Sequence, residues 1–217
     1  MKSAVFALLL VIAGAFAFPQ SDNPRPSLED RIKIVIERIS NRIKEGGYDP
    51  WTVDNARYER VVAPEVIELV AYVKELEFIG ASRIDINNLE FISFINRLTF
   101  DVSLPELKLT IGSCGVNAVA FQYSLDVELS GSLTVSGIRA AGEINFNIDL
   151  IDGVTVRSIT IDFFFGIVKS HLSLEVNGRD LSERVNNLLG VRMPALLDDN
   201  RNEINRGLET IVRILID

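Results

Sequence analysis

Residues 144–150 read Ile144-Asn145-Phe146-Asn147-Ile148-Asp149-Leu150, with apolar and polar side chains in strict alternation. Successive side chains on a strand point to opposite faces, so this spacing predicts a strand with one oily and one wet face. The period continues in both directions. Phe100, Val102 and Leu104 alternate with polar neighbours, and Leu107, Leu109 and Ile111 do so again after Pro105. Leu125, Val127 and Leu129 alternate with Asp126 and Glu128, and Leu133 and Val135 follow Gly131. Val154, Val156, Ile159 and Ile161 continue after an Asp152-Gly153 hairpin turn, with a phase slip at Ser158 that predicts a bulge. The change to this period falls between Val66 and Phe100, and the period holds to about Glu175. Such a run is a set of long antiparallel strands that buries one face and wets the other.

Both flanks of the strand block carry helical spacing. Ser27 is an N-cap, with Asp30 three residues on. Ile32, Val35, Ile36, Ile39 and Ile43 then form one narrow stripe on a helix that ends at Gly46-Gly47. Residues 48–65 read as irregular, with a turn at Tyr48-Asp49-Pro50-Trp51 and a break at Pro64. After the strands, a short helix runs from Asp180 or Ser182 to Leu189, stopped by Gly190 and Pro194. Leu197, Ile204, Leu208, Ile211, Val212 and Leu215 mark a long amphipathic C-terminal helix. A sheet with one oily face needs a cover, and the two helical stripes supply it. The expected architecture is α+β: a highly curved antiparallel sheet wrapped around two long amphipathic helices, a super-roll, in one domain.

Composition narrows the function. The chain has 217 residues, 22 Lys plus Arg, 30 Asp plus Glu, one His and one Cys, with a net charge of −8. That balance argues against a nucleic-acid partner, which needs a basic face. One Cys and one His make no zinc cluster, and one Cys makes no intramolecular disulfide. At the N-terminus Lys2 precedes an apolar run from Ala4 to Ala17 that ends Ala15-Phe16-Ala17. This predicts a signal peptide over residues 1–17, cleaved before Phe18, and a secreted domain over 18–217. The apolar run is too short to span a bilayer, so no integral membrane association is expected.

No catalytic constellation is present. There is no G-x-S-x-G elbow, and no phosphate-cradling glycine loop. Cys114 and His171 are far apart in sequence, with no local support for a nucleophile pair. Cys114 reads as a small buried residue at a strand end, and His171 as a surface imidazole opposite Leu172. The chain is therefore expected to be no enzyme, with no cofactor and no metal site. Phe163-Phe164-Phe165 cannot all face one side of a strand, so one ring marks a strand end, a second contact surface or a partner site. Tyr48 and Trp51 are placed to shield one end of the sheet or to anchor a ligand.

The layout resembles the group 7 mite allergens and their arthropod relatives. These belong with the tubular lipid-binding superfamily of bactericidal/permeability-increasing protein and the insect takeout and juvenile-hormone-binding proteins. The likeness rests on the signal peptide, the Ile-rich first helix, the Tyr48-Asp49-Pro50 turn, the strand block and the C-terminal helix. It implies an apolar tunnel between sheet and helices that holds a lipid or hydrophobic small molecule. The expected lining is Ile32, Ile36 and Ile39 on the first helix, Leu125, Val127, Ile144, Phe146 and Ile148 on strands, and Ile204, Leu208 and Ile211 on the last helix. The hormone carriers of that superfamily typically have an N-terminal cysteine pair, which this chain lacks, so the resemblance points to the allergen-like branch. The alternative is a surface-interaction or innate-recognition protein of the same fold without a working cavity, for which a homodimer is one expected form.

Overall fold

The structure, a computed structural model, describes residues 27–63, 67–121, 123–149 and 153–216. The expected signal peptide, the loop before Ser27, the break at Pro64 and the turn at Asp152 lie outside them. Helix α1 (Leu28–Glu45) begins as its cap predicts, with the Asp30 N–H donating to Ser27 Oγ at 3.1 Å. Eight strands follow: β1 (Trp51–Ala63), β2 (Ile67–Ile79), β3 (Asp85–Ile92), β4 (Arg97–Ala120), β5 (Tyr123–Asp149), β6 (Gly153–Phe164), β7 (Ile167–Val176) and β8 (Arg179–Asp180). The C-terminal helices are α2 (Ser182–Asn187), α3 (Met193–Asp199) and α4 (Arg201–Ile216), with a π-turn over Leu188–Arg192.

All strands form one curved antiparallel sheet around the long β4–β5 hairpin. One end carries β3 beside β4 and β6 beside β5. The other, distal end carries β2 beside β4 with β1 outside it, and β7 beside β5 with β8 outside it. The sequence missed β1, reading it as irregular. It is an edge strand with solvent on both faces, so no alternation was imposed on it.

Pro105 and Gly131 do not end strands, as the segmented alternation suggested. They mark creases within them. Leu98, Phe100, Val102 and Leu104 face inward, and past Pro105 the inward set becomes Leu107 and Ile111. Across the same crease β5 passes from Ile138 to Val135 through Gly137, whose φ of 77° suits glycine. A second irregularity lies where Ile111 pairs with Gly131 but Cys114 with Leu129. There Gly131 has φ 115° and Glu75 on β2 has φ 53°. These creases bend the sheet, and each shifts the phase of the oily face. The bulge expected at Ser158 is present: Asn145 pairs with Ser158 and Phe146 with Val156, leaving Arg157 over.

The core sits at the β3–β6 end. Leu98 and Ile144, both 0% exposed, are register partners, and Ile159 follows on β6. Ile32, Val35 and Ile36 of α1 and Leu208 and Val212 of α4 close over this row. The expected arrangement of two long helices is corrected here. Helix α1 packs against β3 and α4 against β6, at one end of the sheet. The C-terminal segment is a broken series. Gly190 and Pro194 are passed within it, the proline in the first turn of α3 where its missing N–H costs nothing. Asn200 then separates α3 from α4.

The helices also seal sheet edges. The Phe91 N–H on β3 donates to Glu29 Oε1 at 2.8 Å. On β6 the Ile161 N–H donates to Glu209 Oε1 and the Phe163 N–H to Asn205 Oδ1, both at 3.0 Å. On β7 the Leu172 N–H donates to Asn186 Oδ1 at 2.8 Å, and the Leu174 N–H to Ser182 Oγ at 3.0 Å. Each carboxylate, amide or hydroxyl satisfies a backbone donor that would otherwise be left unpaired.

Candidate functional site

A pocket lies where the sheet meets the C-terminal helices. The β6–β7 turn (Phe164-Phe165-Gly166-Ile167) faces α3 and the start of α4 across a pocket of about 610 Å³. Its apolar walls are Phe163, Phe164, Phe165, Ile167, Pro194, Ala195, Leu197 and Ile204, and its polar groups are Arg139, Asp198 and Arg201. A turn forms there because Gly166, at φ 82°, comes so close to the Ser136 carbonyl that no Cβ would fit.

The three phenylalanines divide as the strand period demands. Phe163 is 8% exposed and belongs to the core, Phe165 packs against that core, and Phe164 is 36% exposed on the opposite side. Two guanidiniums flank Phe164: Arg201 lies 3.8 Å from its ring centre and Arg139 5.8 Å. Neither cation is loose. Arg201 donates to Asp162 Oδ1 from Nε at 2.9 Å, and Arg139 donates to both Asp101 oxygens. The Arg139 hydrogen bonds hold the Asp101 carboxyl below its ordinary range against the opposing effect of burial, with Asn87 helping. The rim is therefore polar, with each guanidinium already held by a carboxylate. It can orient the head of an amphiphile by hydrogen bonds while the apolar walls hold its body. A second pocket of about 630 Å³, beside α2, is lined by Glu183, Arg184, Asn187, Leu188 and Arg192 and suits no apolar ligand.

The residues expected to line a tunnel fall into two groups. Ile32, Ile36, Ile144, Phe146 and Leu208 are buried in the packed core, with Ile39, Ile204 and Ile211 against it. Of these only Ile204 reaches the pocket. Leu125 and Val127 lie on the distal half of the inner face, Leu125 being 44% exposed. The side chain of Ile148 lies outside the described residues. On that distal half, register sets Ala56 and Tyr58 beside Val73 and Ala71, then Cys114 and Val116, then Leu129 and Val127, then Leu174 and Val176. It is an oily surface, and among the described helices α2 packs against its β7 margin. Cys114 sits within it, mid-strand and not at a strand end. Burial pushes its thiol pKa up, which disfavours the reactive thiolate. His171 is exposed opposite buried Leu172, as expected.

Sequence reasoning missed Arg139, Pro194, Ala195, Leu197 and Arg201 as site residues. They meet only because distant segments fold together. The one local signal was Phe163-Phe164-Phe165-Gly166. Among the described residues no cluster of His, Cys, Asp or Glu is placed to hold a metal, and no helix is long and apolar enough to cross a membrane.

Residues 5–217 match the family model described as haemolymph juvenile hormone binding protein. The chain belongs to this family. It is one of those named with the tubular lipid-binding superfamily, so the resemblance holds at that level. The match to the hormone-binding family holds although the chain has a single Cys. No curated protein matches. Among solved structures, Takeout 1 of Epiphyas postvittana is similar at 12% identity and TM-score 0.36, over 78% of each chain. Lipopolysaccharide binding protein is similar at 11% identity and TM-score 0.26, over 85% of this chain and 36% of that one. This chain thus spans about a third of the latter's length. The family is named for binding and not for catalysis.

Proposed function

We propose that this family member is a secreted binding protein for a lipid or other hydrophobic small molecule, seated between the β6–β7 turn and helices α3 and α4. The observation that carries the reading is the pocket of about 610 Å³ with mostly apolar walls. Ligand sites usually enclose ~300–1,000 Å³ with a few placed polar groups. Arg139 and Arg201 are those groups here. The Ala4–Ala17 run and its Ala15-Phe16-Ala17 end support secretion. The family name makes a juvenile hormone the first ligand to test, and a fatty acid the second. The narrower allergen-like placement stays with the resemblance alone.

Solvent extraction and native mass spectrometry of the purified protein, followed by titration with cis-parinaric acid, test the reading. A co-purified or saturably bound apolar ligand is expected. Finding neither a bound species nor saturable uptake would overturn it. The alternative, a surface-interaction protein, is favoured by one observation: the distal face carries exposed apolar side chains, with Tyr58 54% exposed and Leu125 44%.

A further inference from the structure

Strand β1 is an edge of a different kind from the others. Strands β3, β6 and β7 each have backbone donors capped by a side chain from α1, α4 or α2. Among the described residues β1 ends the sheet and pairs only with β2. Among the described residues no helix side chain hydrogen-bonds to it. It runs for 13 residues without a proline, and its register with β2 is regular from Trp51 to Val61 apart from the Asp54–Glu75 position. A long edge of this form is a template for another strand.

The charges on β1 favour a second copy of itself. We propose that two chains join antiparallel along β1 about a two-fold axis at Tyr58. In that register Tyr58 faces Tyr58 of the second copy, and Arg57 faces Glu59 twice over. Arg57 and Glu59 already lie on one face, 3.1 Å apart within the chain, and both are more than half exposed. Opposite charges directly across a strand pair stabilise it, and like charges weaken it. The neighbouring symmetric register, centred on Arg57, also makes two opposite-charge pairs, Arg60 with Asp54, but sets two guanidiniums face to face and is the weaker of the two. Ala56, Tyr58 and Arg60 lie on the oily side, so the two inner faces meet at the axis through the Tyr58 pair, with Arg60 beside Ala56 on either side of it. The contact is β1 on β1, and not the Phe163–Phe165 segment that sequence alone offers as a partner site.

Sedimentation velocity over a concentration series, on the full mature chain, reads the dimer. Wild type is expected to dimerise. Arg57→Glu alone and Glu59→Arg alone should each raise the dissociation constant about tenfold, because symmetry makes both cross-strand pairs repulsive at once. Mixing the two variants should restore association as a heterodimer, and the double swap should restore the homodimer. Restoration on mixing also shows that each variant is folded. In a Cys114→Ser background, Tyr58→Cys should give a disulfide-linked dimer under mild oxidation, since directly opposed residues lie at disulfide distance. A wild type that stays monomeric throughout, or variants that associate no better mixed than alone, overturns the proposal. So does a dimer that survives both single charge reversals, which would place the contact elsewhere.

Discussion

Two alanine substitutions on the inner face of one strand should differ several-fold in cost. Ile144 is 0% exposed, between Leu98 on β4 and Ile159 on β6, beneath the helices. Ile144→Ala removes a buried aliphatic group and leaves a void that close-packed neighbours cannot fill. Such changes cost ~2–5 kcal/mol. Leu125 is on the same inner face of β5 at its distal end, 44% exposed. Leu125→Ala forfeits roughly half a transfer free energy of ~1.5–3 kcal/mol and opens no cavity, so about 1 kcal/mol is expected. Domains of this kind hold ~5–15 kcal/mol in all, so only the first is a large fraction of the whole. Urea unfolding followed by far-UV circular dichroism measures both, and the comparison is valid where the m-value is unchanged. Near-equal losses would refute the reasoning, because they would mean that the distal face is covered in solution.

Three more outcomes follow from single contacts. Asn205→Ala should cost ~1–3 kcal/mol by stripping the Phe163 N–H of its acceptor at a part-buried edge, seen as a lower urea midpoint. Burial acts to raise the Asp49 carboxyl pKa, but hydrogen bonds from the Ser82 hydroxyl and N–H and from the Gly80 N–H, with Arg83 nearby, leave it below its ordinary value. Its stabilisation is therefore whole above the usual carboxylate range, near pH ~4, and is lost as pH falls below that; Asp49→Asn should remove that part of the acid dependence in thermal melts. Arg201→Ala, which takes away a ring partner and a pocket wall, should weaken ligand uptake more than it lowers the melting temperature, as read by titration and by calorimetry.

What the sequence made legible was set by burial. Strand positions such as Phe100, Val102 and Ile144 could be assigned because one face is fully buried and the other wet, and that contrast writes itself into the alternation. The slip at Ser158 was readable for the same reason. Strand β1 was not, because solvent on both sides leaves Asp54, Arg57 and Glu59 as acceptable as Val53. Pro105 and Gly131 looked like strand ends because a crease and a turn both interrupt a period of two. Pro194 looked like a stop, although the first turn of a helix tolerates it. The site was the least legible part. An aliphatic stripe reads alike whether it packs, as Ile36 does, or lines space, as Ile204 does. Only the Phe163–Phe165 run, too apolar for one face, pointed toward the pocket.

The proposed function seats the ligand between the β6–β7 turn and helices α3 and α4. Ala195 lies exposed on its wall, so Ala195→Trp fills the pocket without disturbing the core. Titration of wild type and this variant with cis-parinaric acid, with melting temperatures measured alongside, is the direct measurement. Saturable binding to wild type and a loss of tenfold or more in the variant, about 1.4 kcal/mol, are expected at an unchanged melting temperature. Equal affinity in the two proteins would contradict it.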